Sequence, residues 1–190
     1  MGLAAVPFIF MKYESRWQFM SESKSELLEW IEAIVIALVL AFFIRTFLFE
    51  VIKVEGSSMM PTLYENNRLV VNKLGYRFSS PKQGDIIIFR NPDNMKENYI
   101  KRVIAVPGQT VEVKDGSVKV DDKTLAEFYI AEPPLDDFNK VEVPQNTIFV
   151  MGDNRNHSRD SRHIGFIPYE NVLGKAKWRI WPINDMKWFK

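Results

Sequence analysis

The chain has 190 residues, 46% of them hydrophobic, and a formal net charge of +1, enough for one domain with a core and scarcely enough for two. Near-neutral charge of mixed sign excludes the basic face a nucleic-acid binder needs, and the apolar content excludes a disordered chain. The absence of cysteine rules out disulfides, thiol catalysis and Cys-ligated zinc, and two histidines, His157 and His163, are too few for an all-His metal site.

Met1 to Met11 is apolar but too short to cross a bilayer. Ser23 followed by Glu26 fits a capping box and predicts a helix start there. Ile31 to Phe49 then reads IEAIVIALVLAFFIRTFLF. As a helix this stretch rises about 28 Å, close to the hydrocarbon thickness of a bilayer. Ala33 to Ile44 carries no charge, and Glu32 and Arg45 lie near the two ends, where long side chains can snorkel. The expectation is one transmembrane helix over residues 30–49. A buried core helix is the first competing reading, and a chain this small has little core with which to surround one. A cleaved signal peptide is the second, for which the run is long and lacks a clear cleavage site. Lys12, Arg16 and Lys24 precede the run, against Arg45 and Lys53 at its far end, which favours a cytoplasmic segment 1–29.

From residue 50 to 190 the pattern changes to short β-type runs divided by turns. Arg68–Asn72, Asp85–Phe89, Tyr99–Val106 and Thr147–Met151 are strand-like, and Thr110–Lys114, Asp115-Gly116 and Ser117–Val120 read as a hairpin with an Asp-Gly turn. Lys123 to Lys140, with Pro133-Pro134 and Asp136-Asp137, is expected to be a polar surface excursion. The fold class is therefore mainly β, a barrel or sandwich-like domain behind one N-terminal helix.

Three stretches hold residues able to do chemistry. Gly56-Ser57-Ser58-Met59-Met60-Pro61 offers an uncrowded hydroxyl, although such a run taken alone is more often an ordinary turn. A serine nucleophile needs a base. His157 and His163 lie beside Arg155, Arg159 and Arg162, neighbours that discourage a basic imidazole, and read better as exposed loop residues. Lys101 sits inside an apolar strand, where desolvation would ease loss of its proton; the competing reading is an edge-strand lysine that discourages aggregation. Gly152 to Arg162 brings Asp153, Asp160 and Arg162, types that form locked ion pairs, together with Ser158. A calcium loop fits this run poorly, since it lacks regular acidic spacing and three arginines crowd it. No metal or other cofactor is expected.

In order, Gly56-x-Ser58-Met59-x-Pro61-Thr62-Leu63, Gly84-Asp85-Ile86, Tyr99-Ile100-Lys101-Arg102-Val103 with Pro107-Gly108, and Gly152-Asp153-Asn154-Arg155-x-x-Ser158-x-Asp160-Ser161-Arg162 resemble the boxes of type I signal peptidases. The resemblance runs from the apolar helix to about Gly174, and the small size and single span are similar to Gram-positive forms. It implies a Ser/Lys dyad in an extracytoplasmic catalytic domain, with Ser58 as nucleophile and Lys101 as general base. Ser158 would orient the lysine, and Asp153, Asp160 and Arg162 would brace the site. The Ser58 N–H would serve an oxyanion hole, whose second donor in some relatives is a serine at the position of Gly56. Val54, Met59, Leu63, Tyr99 and Ile100 would line apolar pockets for the signal peptide of a secretory preprotein. The implied partners are such preproteins and membrane lipid. The aromatic C-terminus, with Trp178, Trp181, Trp188 and Phe189, fits either a core or a membrane-interface belt. A self-cleaving Ser/Lys repressor protease and a non-catalytic, membrane-tethered β-domain are the alternatives.

Overall fold

The computed structural model describes residues 8–44 and 48–189. The chain divides at Arg45/Thr46 into two compact units. The first is the helix α1, Phe8–Phe43. No Gly or Pro interrupts those 36 residues, so the helix runs straight through the expected start at Ser23, which lies in its interior. No described helix is long and apolar enough to cross a membrane. Glu26, Glu29 and Glu32 interrupt the apolar stretch on one side, and residues 45–47 of the expected span 30–49 lie outside the described residues.

The second unit is mainly β. Its strands are β1 Phe49–Lys53, β2 Arg68–Asn72, β3 Ile86–Asn91, β4 Asn94–Ala105, β5 Thr110–Lys114, β6 Ser117–Val120, β7 Lys123–Thr124, β8 Phe138–Glu142, β9 Thr147–Met151, β10 Ile167–Pro168, β11 Val172–Trp181 and β12 Lys187–Trp188. Two four-residue helical turns, α2 Gly75–Phe78 and α3 Ser161–Ile164, join them. The larger sheet has the order β1-β2-β11-β3-β4-β9-β10, with β12 on β11; the smaller is β7-β6-β5-β8, and every pairing is antiparallel. The Asp115-Gly116 hairpin forms as expected, both residues taking positive φ (49° and 70°), which matches the twist of β5 and β6.

Strand β3 is central, and all four residues Ile86 to Phe89 are buried. Alternation sends Ile86 and Ile88 into a core with Val54, Met59, Leu63, Leu69 and Phe189, and Ile87 and Phe89 into another with Val103, Ile148 and Ile167. Neighbouring β4 pairs with β3 as far as Arg102 and with β9 only from Arg102 onward, so Lys101 is paired on the β3 side, opposite Ile87, and is nevertheless buried. Of the C-terminal aromatics, Phe189 is buried in the core, whereas Trp178, Trp181 and Trp188 are each more than 40% exposed.

Candidate active site

Ser58 lies in the connection from β1 to β2. That loop is closed at its base by Val54 N–H to Asn67 O (2.8 Å) and Asn66 N–H to Val54 O (3.0 Å). Met59 and Leu63, both buried, pin it to the core beneath. At Gly56 the chain takes φ +81°, a left-handed conformation costly for any residue with a Cβ, while the space around it is open. A serine there would be strained by its backbone rather than by a clash.

Lys101 comes from β4 and is 3% exposed. Its Nζ donates to Ser58 Oγ at 2.8 Å and to the Ile100 carbonyl at 3.1 Å, and lies 5.0 Å from the centre of the Tyr99 ring. Burial pulls its pKa down from 10.5 to about 8, against the opposing pull of Asp160 and Asp153. A lysine that sheds its proton near pH 8 while touching a serine hydroxyl is an arrangement able to activate that hydroxyl for acyl transfer.

The third stretch follows β9. The register pairs Arg102 with Met151, so the chain delivers Asp153 beside Arg102 just beyond the strand end. Their ion pair is bidentate at 2.8 and 2.7 Å. Asp160, fully buried, accepts from Gly152 N–H (3.0 Å) and from Arg162 Nε and Nη2 (both 2.9 Å). Asp160 also caps α3. Ser158 Oγ is buried without a hydrogen-bond partner among the described residues; it makes no bond to Lys101. His157 and His163 are both exposed as expected, but only His157 lies in a loop; His163 belongs to the helical turn α3.

Two groups of site residues carried no role in the sequence. Asn154 N–H donates to the Ser58 carbonyl (3.0 Å) and its Nδ2 to the Ser57 carbonyl (3.2 Å), tying the two loops together on either side of the hydroxyl. The polar 123–140 excursion is not merely surface: Glu127 forms a buried bidentate pair with Arg155 (2.7 and 2.6 Å), and the Tyr129 ring lies 3.9 Å from the Arg102 guanidinium. Asn154 stands inside the Gly-Asp-Asn run and could have been singled out there; Glu127 and Tyr129 belong to no motif.

A groove of about 720 Å³ runs past the pair, lined by Ile52, Val54, Gly56, Met59, Ile88, Tyr99 and Ile100 along with Ser58 and Lys101. Four of the five expected pocket residues therefore line it. Leu63 does not; it is fully buried in the core below. No group of three or more acidic or His residues able to hold a metal occurs among the described residues.

Signal peptidase, peptidase S26, is the family whose profile matches residues 27–181. A signal peptidase I from Leptolyngbya laminosa is 42% identical over 172 residues, 87% of this chain and 85% of that one. Signal peptidase I T of Bacillus subtilis is 43% identical over 171 residues, 84% of this chain and 88% of its own. A crystal structure of a signal peptidase I from Enterococcus faecalis is 33% identical and covers 52% of this chain and 98% of that one, with a TM-score of 0.48. A profile match over most of the chain, with relatives above 40% identity along most of their length, means that this chain belongs to the signal peptidase family, peptidase S26.

Proposed function

We propose that the protein is a membrane-anchored serine endopeptidase that removes signal peptides from exported preproteins, with Ser58 as nucleophile and Lys101 as general base. The observation that carries this reading is the 2.8 Å contact between a largely buried lysine and the serine that opens onto an apolar groove. In the reaction, neutral Lys101 takes the Ser58 proton as Oγ attacks the scissile carbonyl carbon, and the resulting ammonium returns it to the departing amine. Water then attacks the acyl-enzyme, with Lys101 again accepting a proton, and Ser58 is released. The Ser58 N–H would donate to the developing oxyanion, the role the family resemblance implies. An extended substrate would lie in the groove against Val54, Met59, Tyr99 and Ile100, pairing with strand edges. Asp153, Asp160 and Arg162 brace the loop beside the lysine, and the Ser158 Oγ of that loop, without a partner among the described residues, would turn to the amine once a substrate rearranges the Ser58 hydroxyl.

Residues 1–29 form the cytoplasmic segment in this reading, 30–49 the membrane anchor, and 50–190 the extracytoplasmic catalytic domain. Two features support contact with lipid. Ile34, Val35, Leu38, Val39, Phe42 and Phe43 in α1 are all about half exposed or more, an apolar surface that water does not favour. In the β unit, Val51, Val70, Trp178 and Trp188 are successive cross-strand partners and so share one face of the sheet. There Trp178 and Trp188 meet edge to face, 5.2 Å apart, and both are exposed. Replacing both tryptophans by glutamine is expected to lower preprotein processing in lipid vesicles while leaving cleavage of a short peptide in detergent unchanged. Equal loss in both settings would place these rings in catalysis or folding instead.

The function itself is tested by preprotein processing in detergent with wild type and Ser58→Ala side by side. Wild type cleaves and the alanine variant does not; turnover that survives in Ser58→Ala removes the dyad. A wild type that holds preprotein without cutting it, and takes no label from an active-site acylating probe, would favour a tethered binding domain.

A further inference from the structure

Two buried carboxylates, Asp153 and Asp160, both pull the Lys101 amine toward its protonated form. Each is nevertheless occupied by a guanidinium. Arg102 grips Asp153 with two hydrogen bonds, and Arg162 grips Asp160 with two. Behind these pairs runs a bridge. Arg162 Nη2 donates to the Arg155 carbonyl at 2.6 Å, and the Arg155 side chain is held by Glu127. Glu127 Oε1 also accepts from the Tyr129 hydroxyl at 2.8 Å, and the Tyr129 ring lies against Arg102. The contacts thus form one chain, with a carboxylate facing the base at each end and Glu127 and Tyr129 in the middle.

We infer that Tyr129, through its ring, is a positioning residue for the catalytic base: it keeps Arg102 on Asp153 so that this carboxylate is not left to hold Lys101 as an ammonium ion. The inference rests on the reading of Lys101 as the base. The geometry makes the ring, rather than the hydroxyl, the active part. A guanidinium 3.9 Å from an aromatic centre is held by cation–π attraction and by the planar contact itself. Arg102 has one further tether, Nη1 to the Gly84 carbonyl at 3.1 Å. A cavity of about 280 Å³ opens beside it, lined by Tyr129, Ile86, Lys187 and Trp188 among others. Without the ring, Arg102 has room to swing away. Lys187, the other charged group at that cavity, is a cation and offers no competing anion for Arg102. On the groove side of Lys101 the charged groups are Lys53, Glu55, Lys96, Glu97 and Arg159, the last paired with Asp93. All are exposed and screened by solvent, whereas Asp153 and Asp160 are fully buried.

The experiment is the pH dependence of kcat/KM for the full chain in detergent, on a peptide spanning a signal-peptide cleavage site. Tyr129→Leu is expected to move the acid limb up by about one pH unit, the lower end of what an opposite charge close by does to a titrating group. Its rate should recover toward wild type above that limb. Tyr129→Phe, which keeps the ring over Arg102, is expected to hold the wild-type limb. Should the leucine variant not fold, Tyr129→Met takes its place with the same expected shift, methionine being the more adaptable filler. A variant that loses rate equally at every pH, with its limb where the wild type has it, overturns the inference, because that is the signature of a merely structural residue. A limb that moves equally in Tyr129→Phe also overturns it, since the hydroxyl would then be responsible. An inactive wild type, or one still active as Ser58→Ala, instead defeats the dyad.

Discussion

Replacing Lys101 with methionine is expected to remove Ser58-dependent cleavage and, at the same time, to make the protein more stable at neutral pH. The first half follows from chemistry: a positioned base contributes on the order of 10²–10⁴ in rate, and methionine accepts no proton. The second half follows from burial. The native state holds Lys101 with its pKa lowered to about 8, whereas the unfolded chain leaves it near 10.5. Below pH 8 the lysine is protonated in both states, and the folded protein carries the full cost of a desolvated charge, at most about 3 kcal/mol at 1.36 kcal/mol per pH unit. Between about pH 8 and 10.5 the native lysine is already neutral and the unfolded one is not, so wild-type stability rises with pH as that cost fades. The methionine variant should therefore melt higher by roughly 5–10 °C at pH 7 and lose its advantage by pH 10.5. Thermal melts of both proteins at pH 7 and pH 10.5 measure this. A variant less stable at pH 7 would mean that Lys101 is held mainly by attraction to Asp153 and Asp160. The same titration sets the pH dependence of the wild type, whose kcat/KM should climb through about pH 8.

Gly152→Ala is expected to be nearly as damaging, for a steric reason. A Cβ at that position would fall 2.2 Å from Ser158 Oγ, 2.5 Å from Ser158 Cβ and 2.5 Å from the Ser58 carbonyl oxygen. The last is backbone, and it also accepts the Asn154 N–H that joins the two loops. The methyl group must therefore push the Ser58 backbone away from the 152–160 loop. Overpacking of this kind costs about 1–3 kcal/mol, and a displacement of the serine by about 1 Å is enough to lose on the order of 10² in rate. Gly174→Ala supplies the control. Its Cβ would meet the Asn72 carbonyl at 2.6 Å, within the β2–β11 pairing and away from Ser58. Both variants should lower the melting temperature; only Gly152→Ala should depress kcat far beyond what its loss of folded protein explains. Similar kcat losses per folded molecule would mean that Gly152 acts on stability alone.

The local β pattern was plain in the sequence because its signals are local. Ile86-Ile87-Ile88-Phe89 is a short, largely β-branched run, bounded by Gly84 and Pro92, that suits a strand buried on both faces, and Asp115-Gly116 is one of the few pairs that tolerate two positive φ values cheaply. The helix start was misjudged at Ser23. A cap is worth about 1 kcal/mol, and an uninterrupted helical stretch on its N-terminal side overrides it. Leu63 is expected at the groove only through the family resemblance; an apolar side chain beside a site can equally be the peg that fixes the loop, and here it packs in the core.

The order of residues alone supplies the candidate groups: one serine flanked by small residues, one lysine in an apolar strand, and an Asp/Arg loop after a third apolar run. What it could not decide is whether they meet. Residues 58 and 101 are brought to 2.8 Å by the β1–β2 loop folding over the β3–β4 pair, a contact no local periodicity encodes. The strand sequence alone left Lys101 as either a surface lysine or a buried base, because a strand's exposure depends on its neighbours. Lys101 sits opposite Ile87 of β3 and is 3% exposed, which removes the first choice, and that burial lowers the lysine's pKa. Glu127 and Tyr129 were invisible for the same reason. Their importance lies in ion pairs and ring contacts with residues 25 or more positions away, and such long-range pairing exists only once the two sheets have packed.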